Sequence, residues 1–358
     1  MIAKFLAKLV ALLLLAAAYG GFISPKLWVW PSLATLCLQV AVPLTLVFAV
    51  LLLVCRCWKA FLITVVALVL SWPSVRTVMP LHFKTATAPQ GSTELKVLTF
   101  NVMNFGWYDG TQKTENPSMR YILDQNADIV MLQEASVTSY YERLNSIKMM
   151  LDEMNEKYPY RQHGLSDIII LSRYPFKEVN DPLLSSYDDN SLSMEPFAAA
   201  FDVELPERTI RVVAMHLHSF EFDDADRSIL EGARTDGISK KQARSFVQKL
   251  KTGYANRVPQ AKQLREFLDK KGPDVTLVCG DMNDTPASYV YNKVRGSDLK
   301  DAWADCGRGI TYTYNDHKFW VKIDHILYRG DLKPLSIHRD KKGDSDHYPL
   351  VATFALNP

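Results

Sequence analysis

The pattern of apolar and polar positions changes character once along this chain of 358 residues. Up to about residue 80 it has no amphipathic period: the stretches Phe5 to Ile23, Leu33 to Cys55 and Ala60 to Met79 (about 5–23, 33–55 and 60–79) are apolar on every side. Each approaches the ~20 helical residues that cross a ~30 Å hydrocarbon core, so three transmembrane helices are predicted. The third carries Pro73 and Arg76 in its last turns, and so must end there or let Arg76 reach the interface.

Beyond Leu95 the period alternates between two and 3.6. Strands are predicted at Leu95 to Phe100, Asp128 to Leu132, Asp167 to Ser172, Phe197 to Glu204, Ile210 to His218, Val275 to Cys279, Lys318 to Tyr328 and Leu350 to Phe354. Helical spacing marks four segments: Asn116-Pro117 onward with Met119, Ile122 and Leu123; Tyr141 to Met154; Ser239 to Leu250; and Pro259 to Leu268. Several strands follow one another with no helix between them, which predicts antiparallel pairing in a mixed α/β fold of the α+β type. Phe220 to Gly237 fits neither period and reads as a loop.

Composition sharpens the division. Residues 1–93 contain no Asp or Glu, and Trp28, Trp30, Trp58 and Trp72 stand near the proposed span ends, as interfacial aromatic residues do. Lys4 and Lys8 precede the first span, and Arg56 and Lys59 fill the turn between the second and third. The positive-inside rule then makes the amino terminus and the Arg56 to Lys59 turn cytoplasmic and places everything after the third span on the far side. Reading the first span as a signal peptide, on Lys4, Lys8 and Ala16-Ala17-Ala18, leaves that placement unchanged. The expected organisation is a membrane anchor over 1–81, a Thr/Ala/Pro/Gly/Ser-rich linker over 82–93, and a large domain over 94–358. Six of the 41 basic residues (Lys4, Lys8, Lys26, Arg56, Lys59, Arg76) lie in the anchor, leaving 35 to face all 39 acidic ones beyond it. A domain near −4 does not advertise a polyanion-binding surface. Of the cysteines only Cys279 and Cys306 lie in this domain, and Cys279 ends an apolar strand, so no disulfide framework is implied.

Acid, amide and imidazole side chains collect at predicted strand ends. The segments are Phe100-Asn101-Val102, Leu132-Gln133-Glu134, Met215-His216-Leu217-His218-Ser219, Gly280-Asp281-Met282-Asn283-Asp284, Lys322-Ile323-Asp324-His325 and Ser345-Asp346-His347. Any one alone is ordinary, because an acid in a loop is usually solvated. Alternation places His216 and His218 on one face, which leaves a metal pair open, and turns His325 away from Asp324 toward a structural role. Asp223, Asp224 and Asp226 lack the Gly and terminal Glu of a calcium loop, and the Lys240 to Lys251 basic residues read as a solvated helix face.

In this order, together with Asn126 to Glu134 and Ile170 to Pro175, the segments resemble the endonuclease/exonuclease/phosphatase superfamily from Leu95 to Leu356. The resemblance implies a four-layer sandwich: two facing, mostly antiparallel sheets with outer helices. It implies metal ligation by Asn101, Glu134 and Asp346, an all-oxygen set suited to Mg²⁺ or Mn²⁺. Asp281 and Asn283 are then expected to deprotonate and position the attacking water, and His347, held by Asp324, and His216 to contact the phosphate. The expected activity is hydrolysis of a phosphodiester or phosphomonoester, with a lipid headgroup favoured by the tether. The nucleic-acid contacts of nuclease members do not align, so a nuclease is the less favoured reading. A catalytically inactive, membrane-tethered binding module is the remaining one, and the presence of Glu134, Asp281, Asn283 and His347 argues against it.

Overall fold

The structure is a computed structural model that describes residues 2–83, 86–109, 115–135, 145–163, 167–188, 193–220, 222, 226, 239–316 and 319–357. Tyr141, Leu144, Asp223, Asp224, Lys318 and most of the unpatterned stretch after Phe220 lie outside the described residues.

The amino-terminal part is helical: α1 (Ile2–Tyr19), α2 (Val29–Leu36), α3 (Leu38–Val54), α4 (Trp58–Leu70) and α5 (Trp72–Val78). Only the first predicted span is one unbroken helix long and apolar enough to cross a membrane. The other two are helix pairs, α2 with α3 bent by 62° and α4 with α5 by 73°, so the expectation of three single helices is corrected. At the second break the cause is local. Pro73 lacks the N–H that would continue α4, and Ser71 ends that helix. At the first, the Cys37 N–H turns to the Ala34 carbonyl and α3 restarts at Leu38. Ala11, Leu14, Ala18, Leu38, Ala41, Val42, Ala67 and Val75 bury against one another, small residues letting the helices approach closely.

The large domain has two six-stranded sheets. The first runs in the order β15 (Leu332–Arg339), β16 (Leu350–Leu356), β1 (Thr93–Asn101), β2 (Ile129–Gln133), β4 (Ile169–Ser172), β3 (Tyr160–His163). The second runs β11 (Lys300–Asp301), β14 (Asp324–Arg329), β10 (Thr276–Asp281), β9 (Thr209–His216), β8 (Ala198–Glu204), β5 (Phe176–Glu178). Two ribbons stand apart, β6 (Ser185–Asp188) with β7 (Ser193–Pro196) and β12 (Tyr314–Asp316) with β13 (Phe319–Val321). Only β1–β2 and β9–β10 pair in parallel; the other described pairs are antiparallel.

Strict alternation builds the layers. Val97, Ile129, Met131, Val212, Ala214, Leu277 and Cys279 point between the sheets. Their neighbours Leu98, Phe100, Val130 and Leu132 point outward under α6 (Pro117–Gln125) and α7 (Asn145–Lys157). On the other sheet Val213, Met215 and Val278 point outward under α8 (Lys240–Asp269) and α9 (Tyr289–Arg295). The result is helix, sheet, sheet, helix, with α10 (Ala302–Cys306) between β11 and the amino-terminal helices.

The two helices predicted on either side of Lys251 to Val258 are one. α8 starts with a Ser239–Gln242 capping box and continues through Pro259, because Val258, Ala261, Leu264 and Phe267 all bury and outweigh the hydrogen bond that proline forfeits. The strand predicted over Lys318 to Tyr328 breaks in two at Lys322-Ile323. There the Thr313 hydroxyl accepts both the Ile323 and Asp324 N–H groups, which sets Asp324 at the head of β14.

Candidate active site

Two strands from each sheet run out toward the same edge of the sandwich. Asn101 ends β1, Glu134 follows β2, His216 ends β9 and Asp281 ends β10. The parallel registers set Asn101 beside Gln133 and Asp281 beside His216, and the antiparallel register sets Asp324 across from Asp281. Gly280 makes this possible: its φ is +129° and a Cβ there would overlap the Met215 carbonyl oxygen of β9. Glu134 and Asn283, each with φ 50°, turn left-handed as they leave their strands and bring their side chains back over the edge.

Five of the eight residues expected at the site, Glu134, Asp281, Asn283, Asp346 and His347, line one cleft of about 460 Å³, and Asn101, His216 and Asp324 adjoin it through contacts with them. Asn101, buried, donates from Nδ2 to Glu134 Oε1 at 2.9 Å and to Asp281 Oδ2 at 3.2 Å. Asp281 Oδ1 accepts the Asn283 N–H at 2.7 Å, while the Asn283 amide donates to the Leu217 carbonyl at 2.7 Å. His347 Nδ1 lies 2.9 Å from Asp324 Oδ2 and its Nε2 3.6 Å from Asp281 Oδ2. His216 Nδ1 lies 2.7 Å from Asp167 Oδ2, and its Nε2 faces Glu134 at 3.7 Å and Asp281 at 3.9 Å. The Ser345 hydroxyl donates to the Asn101 carbonyl and accepts the His347 N–H, tying the loop before β16 to the end of β1.

The electrostatics follow from this crowding. Burial raises Asp281 to about 6, helped by the charge of Asp324 and opposed by both imidazoles and the Asn283 N–H. Burial alone would lower His216, but the Asp167 hydrogen bond and the carboxylates of Asp167, Asp281 and Glu134 raise it to about 9. The same contest raises His347 to about 10, through Asp324, Asp281 and Asp346. Asp346 is raised by burial and by the charges of Glu134 and Asp316, and held back by His347.

Glu134 and Asp346 therefore press like charge on one side of the cleft, which a hard divalent cation would relieve, and their donors are oxygen. Asn101 fits that set less directly. Its Oδ1 takes the Met103 N–H at 3.2 Å and its Nδ2 points to the carboxylates, so ligation requires the amide to turn. Asp281, Asp324 and His347 bring ligand-type atoms within 4.8 Å of one another. With Nδ1 committed to Asp324 and the ring held cationic, His347 is a poor metal ligand, and this group is better read as a hydrogen-bonded relay.

His218 lies just past the end of β9. Its Nδ1 meets the Ser219 carbonyl and its Nε2 the Asn256 amide, away from the cleft carboxylates. His325 is fully buried between Lys322 and the Asp284 carbonyl. Asp226 pairs with Lys249.

Sequence reasoning missed several participants. Asp167 stood only as the start of a predicted strand, yet it fixes the His216 ring. Tyr314 packs edge-on against the His347 ring at 5.0 Å. Beneath Asn283, Arg257 and Asp284 form a fully buried pair at 3.8 Å, with burial and the neighbouring charge setting Asp284 at about 6. Nothing in the local sequence of Asp167 or Arg257 marks them; only the facing strand or helix does.

A family model described as the Endonuclease/Exonuclease/phosphatase family matches residues 98–347, and one described as Domain of unknown function (DUF8431) matches residues 2–78. No curated protein matches the chain. Among solved structures, an endonuclease/exonuclease/phosphatase from Beutenbergia cavernae DSM 12333 is 18% identical with a TM-score of 0.49, over 74% of this chain and 72% of that one. Sphingomyelinase C from Streptomyces griseocarneus is 18% identical with a TM-score of 0.45, over 74% and 100%. A family protein from Bacteroides thetaiotaomicron is 14% identical with a TM-score of 0.42, over 76% and 97%.

Proposed function

Because the chain belongs to the Endonuclease/Exonuclease/phosphatase family, we propose that it is a membrane-anchored, Mg²⁺- or Mn²⁺-dependent phosphoesterase working outside the cytoplasm. The observation that carries this reading is the convergence of two carboxylate-held imidazoles, Asp167–His216 and Asp324–His347, on one cleft with Asp281 between them.

Asp281 takes the proton of the attacking water. Its value of about 6 leaves it ionised yet basic near neutral pH, as a general base requires. Asn283 is locked by the Leu217 carbonyl and the Asp281 carboxylate, so it offers a fixed amide to orient that water. The cationic imidazoles of His216 and His347 donate to the non-bridging phosphoryl oxygens, whose charge grows as the ester bond breaks. Glu134 and Asp346, with Asn101 once its amide turns, would hold the ion. When bound, the ion supplies polarisation of the phosphoryl oxygen and stabilisation of the departing alkoxide. Water oxygen bonds to phosphorus as the alkoxide leaves, so no phosphoenzyme forms.

Anchoring rests on α1 and the two bent helix pairs. The basic residues Lys4, Lys8, Arg56 and Lys59 sit at the amino-terminal end of α1 and at the α3–α4 turn, which orients the catalytic domain away from the cytoplasm.

The test is hydrolysis of bis(p-nitrophenyl) phosphate by the full chain with Mg²⁺ or Mn²⁺. Asp281→Ala and His347→Ala should each lower kcat by about 10³-fold or more with the fold retained, and excess chelator should abolish turnover. Activity retained in both variants, or in chelator, would overturn the reading.

A further inference from the structure

The anchor does more than tether the catalytic domain: it forms part of the cleft. Leu36, the last residue of α2, lines the same cavity as Glu134, Asp281, Asn283, Asp346 and His347. The same cavity is also lined by the apolar side chains of Phe220, Phe222, Val321 and Ile323.

α2 is seated firmly there. The Tyr254 hydroxyl donates to the Ser32 carbonyl at 3.2 Å and the Lys251 ammonium lies 5.9 Å from the centre of the Trp30 ring, while from the first turn of α3 the Gln39 amide donates to the Thr311 carbonyl at 3.0 Å. The bend of 62° between α2 and α3 turns α2 off the line of the span, and α3 begins two residues after Leu36. With α2 and α3 as the second span proposed above, Leu36 stands at the end of that span nearest the large domain, toward the depth of lipid headgroups. Trp28 and Trp30, at the start of α2, are exposed by 57% and 56%, as large aromatic side chains at a membrane interface are.

We propose that the substrate is a membrane lipid phosphoester, its phosphate in the cleft and its acyl portion passing along Leu36 into the bilayer beside α3. This rests on the phosphoesterase reading above, and commits to a lipid rather than a free phosphate ester of the same headgroup chemistry.

The experiment compares two substrate arms with the full-length protein reconstituted in vesicles of phosphatidylcholine, phosphatidylethanolamine, phosphatidylglycerol and sphingomyelin with Mg²⁺. One arm measures headgroup or phosphate release from the vesicle lipids. The other uses the deacylated, water-soluble esters with identical headgroups. For at least one headgroup, kcat/KM for the acylated substrate should exceed that for its deacylated partner by about tenfold or more, since burying even a few methylenes is worth that much. Leu36→Ser, and the milder Leu36→Val should the first fail to insert, should shrink that ratio several-fold. Equal rates on acylated and deacylated esters, or a ratio unmoved in both Leu36 variants, would overturn the inference and leave the phosphoesterase reading standing. Turnover of neither these substrates nor bis(p-nitrophenyl) phosphate would instead overturn the phosphoesterase reading itself.

Discussion

At the scale of single residues, the candidate site sets carboxylates and imidazoles against each other within a buried cluster, Asp281, Asp324 and His347 at its centre. The proposed mechanism needs Asp281 ionised and His216 protonated. Asp281, raised to about 6, gains its charge as pH rises, and His216, raised to about 9, loses its own further up. The profile of kcat/KM should therefore climb through about pH 6, hold, and fall through about pH 9, measured on a soluble phosphodiester at saturating Mg²⁺. Asp167→Asn removes the carboxylate that holds His216 cationic against burial, so the falling limb should move to lower pH while the rising limb stays. The same variant should lose about 10- to 100-fold in kcat, as the removal of a ring-orienting partner usually does. A lost activity with an unmoved limb would make Asp167 merely structural. Of these residues Asp281, His216, His347 and Asp324 were legible in the sequence, because each carries a titratable side chain at a strand end within a resembling motif. Asp167 was not, since its partner lies across the sandwich and nothing local distinguishes it from any acid opening a strand.

Elements position the site through a few backbone exceptions. Gly280 sits in β10 with φ of +129° against Met215 of β9, and any Cβ would force the parallel pair apart. Gly280→Ala should cost about 2–4 kcal/mol of stability, seen as a lower thermal midpoint, and should misplace Asp281 one residue on. Pro259 in α8 poses the opposite case. The helix continues through it because its neighbours are buried, so Pro259→Ala restores one backbone hydrogen bond and should stabilise by about 1 kcal/mol, checked by denaturant unfolding. Period-2 alternation foretold the inner strands of the two sheets, since Val97/Leu98, Val212/Val213 and Leu277/Val278 each divide between inner and outer cores. It overlooked the edge strands β3, β5, β11 and β15, which are short or, like β15 with Lys333 and Pro334, interrupted in their apolar pattern, and it divided α8 at a proline that tertiary packing overrode.

Across the whole molecule, the amino-terminal helices and the large domain share one boundary. Ala287 belongs to the buried cluster of the amino-terminal helices, and a Cβ on Gly21 would overlap the Ala287 carbonyl, so the carboxyl-terminal end of α1 abuts the loop that leaves Asp284. The Arg76–Asp305 ion pair also crosses this boundary, but with Arg76 side chain 44% exposed it adds at most about 1 kcal/mol, and apolar contact does most of the holding. The proposed orientation predicts that a membrane-impermeant maleimide labels Cys55, in the α3–α4 turn, only once the cytoplasmic face is opened, while protease added outside intact spheroplasts reaches the catalytic domain. Labelling of Cys55 in sealed cells would reverse that orientation. By itself the sequence determined the apolar amino-terminal stretches, the α+β class and the chemical types gathered at strand ends, because hydropathy and alternation are local properties. Only the tertiary structure decided that two of the three apolar stretches are bent helix pairs, that Asp167 and Arg257 pack against the candidate site, and that Leu36 of α2 lines its cleft. These depend on which surfaces bury together, and residues far apart in the chain carry no local trace of that contact.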